Sequence, residues 1–237
     1  MMSQRAIARA DRILDLLARS KMPLTLDQIS SALELPRSTA FDLLGDLLST
    51  GFLQISAHRY SFGSRVSMLQ TLAESTTVPA VSHPTLLAIA RESAWAVALA
   101  EIAGPVLLYV DQVGVRGPGR LSRIADLHLP RPVLQTAAGR VILANMPAEV
   151  RRRMLHGAAS AEQQKEFRAK ASTIRRNGYL FHETGLIPGL SALAVPVPAA
   201  LDGVVNSAVV LFMPRGSTGG RQRVREVVAL VQDHLRQ

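Results

Sequence analysis

Residues Thr25 to Phe62, TLDQISSALELPRSTAFDLLGDLLSTGFLQISAHRYSF, narrow the fold of this chain more than any other stretch. Thr25 and Gln28 form a capping box ahead of Ile29, Ala32 and Leu33, a buried stripe at helical spacing. Asp27 sits in that helix's first turn, where the dipole favours an anion. Pro36 ends the helix and opens another, whose Ala40, Leu43, Leu44, Leu47 and Leu48 face inward. Gly51 closes it, and the alternation of Leu53, Ile55, Tyr60 and Phe62 about a turn at Ser56–His58 predicts a hairpin wing. A further helix precedes the pair, with Ile7, Ala10, Ile13, Leu14 and Leu17 on one face.

A helix as short as the first of the pair gains little from burying one face. Its ordinary use is to hold the second proud of the surface, where it can enter a DNA major groove. The outward residues fit that use. Arg37 suits a phosphate or a guanine edge, and Ser38 and Thr39 can hydrogen-bond a base or a phosphate. Phe41 either touches a thymine methyl or packs against the wing, and Arg59 stands near the wing's tip. Asp42 and Asp46 oppose the reading, since carboxylates repel phosphates. The alternative is a winged helix that is structural or binds protein.

The net charge of +9 does not decide between these readings. Residues 1–65 carry 8 Arg/Lys against 6 Asp/Glu, whereas residues 66–237 carry 19 against 12. Most of the excess therefore lies outside the winged segment, and the docking argument rests on the motif. With no cysteine, disulfides, thiolate metal sites and a Cys nucleophile are excluded. No apolar run approaches the roughly 20 residues that span a bilayer, and the N-terminus lacks an apolar signal core. A cytoplasmic protein with no membrane partner is expected.

Three regions follow: a winged domain at 1–63, a linker helix and hinge at 64–82, and a second domain at 83–237. The linker helix carries Val66, Leu69 and Leu72 on one side, and STTVPAVSHP is the composition break. Beyond Trp95 the chain reads as strands: WAVALAEI, VLLYVDQV, then LSRIADL after the turn Gly117–Pro118–Gly119. TAAGRVILANM and AEVRRRML are helices, and Ser160 with Gln163 caps a long polar helix closed by Gly178. LSALAVPV and NSAVVLFM are strands about a Leu201–Asp202–Gly203 turn, and Val224 to Leu235 marks a last amphipathic helix. Strand runs with helices between and after them predict an α+β domain on an antiparallel sheet flanked by helices.

These motifs resemble the IclR family of bacterial transcriptional regulators over essentially the whole chain. LPRSTAFDLLGDL stands where the family has a Leu-Pro-Lys-Ser-Thr type recognition helix. TAAGRVILA resembles its Thr-Ala-x-Gly-Lys-x-x-Leu-Ala helix, and IRRNGYLFHETGLIPGLSALAVPV its Ile-Arg-x-x-Gly-Tyr segment with Pro-Gly and an Ala-rich strand. The resemblance implies a winged helix-turn-helix joined to a GAF-like effector domain. It implies a homodimer or dimer of dimers, acting as a repressor on a palindromic double-stranded operator and tuned by a small organic effector. Carried over by position, the effector site comprises Leu134, Ala137, Ala138, His182, Leu190, Ala192, Val210 and Phe212. Backbone N–H groups at Thr136–Ala138 would suit a carboxylate.

The departures from the family pattern bear on specificity. Asp42 replaces a usual arginine, Leu134 a common histidine, and Thr184 and Gly185 acidic residues. Members that bind small hydrophilic acids present serines where this chain has Val210 and Phe212. Burying a polar ligand against them costs about 1–3 kcal/mol per unpaired group. An effector with an apolar or aromatic body is expected, unless Val210 and Phe212 simply fill the site.

The remaining chemistry is sparse. The six histidines show no metal-ligand spacing, and no nucleophile elbow or phosphate loop occurs. Gly117-x-Gly119-x-x-Ser122 lies between strands and reads as a turn. His182 lines the pocket or sits on an exposed loop. Arg151–Arg153 is a solvated helix face or a contact with an oligomer partner or DNA backbone. No cofactor, metal or catalytic residue is expected, and an enzyme with an accessory winged helix finds no constellation to support it.

Overall fold

A computed structural model describes residues 2–73, 81–114, 129–156, 159–183, 189–198, 205–216 and 220–236. The chain divides into two compact units, Met1–Val78 and Pro79–Gln237.

In the first unit the order is α1 (Met2–Arg19), β1 (Leu24–Thr25), α2 (Leu26–Leu33), α3 (Arg37–Ser49), β2 (Leu53–Ser56), β3 (Arg59–Phe62) and α4 (Arg65–Leu72). The capping box forms as the sequence dictates. Gln28 N donates to Thr25 Oγ1 at 3.3 Å, and Thr25 N donates to Gln28 Oε1 at 2.9 Å. Ile13 and Leu17 of α1 meet Ile29, Leu33, Ala40, Leu43, Leu44 and Leu47, and Leu53 and Tyr60 close this core from the wing. The chain reverses from β2 to β3 through Ala57 and His58, both with positive φ, the pairing of a tight hairpin turn.

Some expectations fail here for one reason: periodicity names a face, but only a neighbour buries it. Ile7 is 70% exposed, lying beyond the part of α1 that packs, and Ala32 and Ile55 are exposed as well. The helix expected at the linker is present as α4, yet none of its residues is buried, and Leu72 is 73% exposed. The wing also gains a strand that the sequence does not announce. Leu24 and Thr25 pair with Tyr60 and Arg59, so the sheet order is β1-β3-β2.

The second unit runs α5 (His83–Ser93), β4 (Ala96–Ala103), β5 (Val106–Val113), β6 (Arg131–Pro132), a 3-10 turn (Val133–Gln135), α6 (Ala137–Asn145), α7 (Ala148–Leu155), α8 (Ala161–Asn177), β7 (Leu180–Glu183), β8 (Leu190–Pro198), β9 (Val205–Pro214) and α9 (Gly220–His234). Six strands form one antiparallel sheet in the order β6-β5-β4-β9-β8-β7. Its central strands are apolar on both faces because helices cover both. Val97, Leu99, Leu193, Val195, Val209 and Leu211 pack with Leu86 and Ile89 of α5 and Val224, Val227, Val228 and Val231 of α9. Ala98, Ala100, Leu107, Tyr109, Ala192, Ala194, Val210 and Phe212 meet α6 and α8 on the other face. Small residues on β4 and β8 let α6 lie close to the sheet.

Ser160 and Gln163 form their capping box, and Gly178 ends α8 in the left-handed conformation, as the sequence predicts. The expected strand LSRIADL and the turns at Gly117–Gly119 and Leu201–Gly203 lie outside the described residues. The fold is the expected one: an N-terminal helix-turn-helix with a wing, then an α+β unit on an antiparallel sheet. Among the described residues no helix is long and apolar enough to cross a membrane.

Candidate nucleic-acid interface and buried ligand site

Pro36 precedes α3 and offers no side-chain cap to the helix's first turn. The leading N–H groups of a helix have no partner within it. Those of Arg37, Ser38 and Thr39 therefore end a helix whose start carries exposed Arg37 and Ser38 and half-buried Thr39. One turn on, Phe41 is 61% exposed, so it projects outward rather than packing against the wing. Gly45 lies on the open face too, where an added Cβ would meet nothing within 4 Å.

Two of the expected contact residues are already engaged. Arg37 pairs with Asp27 of α2, the residue assigned from sequence only to the helix dipole. Both side chains are exposed, and such a pair contributes only about 0–1 kcal/mol, so a phosphate can replace the carboxylate. Arg59 donates from Nη1 to Pro23 O at 3.2 Å, fixing the wing's tip strand to the stretch before β1. The Asp27 contact was out of reach of the sequence, since it spans the bend between two helices.

In the second unit, the segment leading into α6 is built by close approach. Thr136 caps the helix, its Oγ1 accepting from Gly139 N at 2.9 Å and donating to Val133 O at 3.3 Å. Gly139 has no room for a side chain, because a Cβ there would lie 2.1 Å from Val133 O. Arg140 Nε donates to Leu134 O at 2.6 Å, which holds the 3-10 turn against the helix. Leu134, Ala137 and Ala138 are thereby presented to the sheet, all three buried.

The sheet supplies the remaining expected residues in one row and its neighbours. His182, Ala192, Phe212 and Ala96 align across β7, β8, β9 and β4. Leu190 and Val210 lie on the same buried face. Seven of the eight expected residues thus meet in one apolar cluster, while His182 is half-buried on an outer strand. Tyr109 joins them. Its ring lies 5.8 Å from that of Phe212 at an interplanar angle of 59°, a tilted aromatic contact. Burial pushes the Tyr109 hydroxyl up to about 12, partly offset by Arg131, so the group is neutral at ordinary pH. Sequence reading passed over Tyr109, although its alternation with Leu107 in VLLYVDQV would have placed it on the inward face.

Among the described residues no three His, Asp or Glu side chains could share a metal ion. The buried cluster presents aliphatic and aromatic surface, with the Tyr109 phenol and the N-terminus of α6 as its polar features.

Comparison with known proteins agrees with both halves of the chain. The profile described as the IclR helix-turn-helix domain matches residues 6–55, and that described as the bacterial transcriptional regulator IclR C-terminal domain matches residues 70–237. A curated relative, described as the probable transcriptional regulator SauR of Cupriavidus necator, is 28% identical over 205 residues, 82% of this chain and 81% of that protein. An IclR transcriptional regulator from Alicyclobacillus acidocaldarius shares the fold at a TM-score of 0.66 and 24% identity, covering 98% of this chain and 96% of that one. An IclR homologue from Microbacterium hydrocarbonoxydans, crystallised with 4-hydroxybenzoate, does so at 0.62 and 20%, covering 98% and 99%. The chain belongs to the IclR family of DNA-binding transcriptional regulators.

Proposed function

We propose that this protein is a cytoplasmic repressor whose hold on a palindromic operator is set by a small acid with an apolar or aromatic body. In this reading Arg37, Ser38 and Thr39 contact base edges and phosphates from the start of α3. Phe41 meets a thymine methyl, and Arg59 meets the backbone from the wing. A homodimer or dimer of dimers matches the two half-sites. The effector lies among Leu134, Ala137, Ala138, His182, Leu190, Ala192, Val210 and Phe212, and it is bound without turnover.

One observation carries the effector class: the expected ligand residues converge on a surface that is apolar and aromatic, with Tyr109 against Phe212. Such a surface rewards burial of a ring and offers little to a small hydrophilic acid. The relative from Microbacterium, crystallised with 4-hydroxybenzoate, is consistent with this class.

The tight burial of Val210 and Phe212 favours a second reading, in which the cluster is simply core and operator binding is constitutive. Thermal-shift titrations separate the two. Aromatic acids such as 4-hydroxybenzoate are expected to stabilise the protein saturably and to change its operator affinity, while glyoxylate does neither. Stabilisation by glyoxylate alone would overturn the effector class, and no response to any acid would favour the filled core.

A further inference from the structure

The C-terminal end of α6, away from the expected ligand residues at its start, carries a feature that operator binding and effector binding leave unexplained. Residues 148–177, spanning α7 and α8, hold 8 Arg/Lys and only 3 Asp/Glu. Glu149 is engaged by Arg152 and Arg153, and Glu166 by Arg140 and Lys170. Among the described residues, no carboxylate pairs with Arg151, Arg168 or Arg175.

Those three guanidinium groups are gathered by the fold. Arg151 Nη1 donates to Leu143 O at 3.3 Å and Met146 O at 3.5 Å, and Arg175 Nε donates to Ala144 O at 2.8 Å. Two arginines are thus held on consecutive carbonyls at the C-terminus of α6. Arg168 lies seven residues before Arg175, two turns back on the same face of α8. Its Nη2 donates to Gln164 Oε1 at 3.1 Å. The proximity has an electrostatic consequence: burial, then Arg175 and Arg168, lower the Arg151 pKa from its ordinary value.

Carbonyl capping accounts for the positions of Arg151 and Arg175, but not for adding Arg168 to a cluster of like charge. Among the described residues, most N–H donors of the three groups find no acceptor. We infer that Arg151, Arg168 and Arg175 form a binding site for a phosphate group, at the opposite end of α6 from the buried ligand site. Guanidinium forks, two of them held on carbonyls, match the oxygens of a compact multivalent anion, and the anion relieves the repulsion among them. The phosphate comes from inorganic phosphate or from a small phosphomonoester. This site does not depend on the effector reading.

The test is a calorimetric titration of the full chain with inorganic phosphate and, separately, phenyl phosphate, against sodium chloride at matched ionic strength. One saturable site per chain is expected for at least one of them, and the two titrations tell which source is preferred. Arg168→Gln leaves the carbonyl contacts of Arg151 and Arg175 intact and is expected to weaken binding about tenfold. Arg225→Gln, an equal loss of charge on exposed α9, should change it less than about twofold. Equal losses from the two variants, or a response no larger than that to chloride, overturn the inference. So does binding of an unrelated DNA duplex with none of either phosphate.

Discussion

Helices α3 and α6 lie in different units, and the residues at the start of each are the ones proposed to meet a ligand. Their surroundings differ in capping and in exposure. At α3 the preceding residue is Pro36, no side chain caps the first turn, and Arg37 and Ser38 stand in solvent. At α6 Thr136 satisfies Gly139 N, and Ala137 and Ala138 are sealed against the sheet. A phosphate can approach the first start while keeping most of its hydration and gaining charge-assisted bonds. Anything reaching the second must leave water, so it is selected for apolar surface first. In the proposed reading a helix start serves two chemistries, and burial decides which.

The comparison can be broken most strongly at the glycines of these helices. Gly139→Ala drives a methyl into Val133 O and is expected to cost the second unit about 3 kcal/mol, read by chemical denaturation. If that variant were as stable as the parent, the close approach of α6 to the 3-10 turn would be wrong. Tyr109 gives the next effect. Burial favours its neutral form, so its folded pKa of about 12 lies above the ordinary value of about 10. Its contribution is complete below about pH 10 and is lost as pH rises through about 12, a fall of about 2–3 kcal/mol. Tyr109→Phe should flatten that fall, and an unchanged alkaline profile would place the phenol in solvent.

Smaller effects sharpen the exposed side of the comparison. Gly45 lies mid-helix with open space about it, so Gly45→Ala should stabilise the first unit by about 0.5–1 kcal/mol, opposite in sign to Gly139→Ala. A loss of stability would mean that the outer face of α3 is covered. Asp27→Asn releases Arg37 from its ion pair and should raise DNA affinity by about 0.5 kcal/mol at low salt, the gain fading as salt rises. Weaker binding at low salt would show that Asp27 holds Arg37 in a useful place.

These tests reach residues of unequal legibility. Thr25 with Gln28 and Ser160 with Gln163 were plain because a capping box is written within four residues. The inward stripe of α3 was plain for the same local reason. Ile7, Ala32 and Ile55 were misplaced because their exposure depends on where a neighbouring element stops. The pairing of Leu24–Thr25 with β3 and of Asp27 with Arg37 joins segments whose local patterns say nothing of each other. For the candidate effector residues, resemblance supplied the positions and the sheet register supplied the adjacency of His182, Ala192 and Phe212. Tyr109 needed the fold, since alternation gives its face but not its distance from Phe212.

The claim that the start of α3 reads DNA is tested most directly by footprinting the protein on DNA upstream of its own gene. Parent, Arg37→Ala and Thr39→Ala would be compared at matched salt. The parent should protect a palindromic site, and each substitution should weaken that protection by about 1–3 kcal/mol while leaving the fold intact by circular dichroism. Protection of the same site by all three proteins at equal concentration would contradict the assignment.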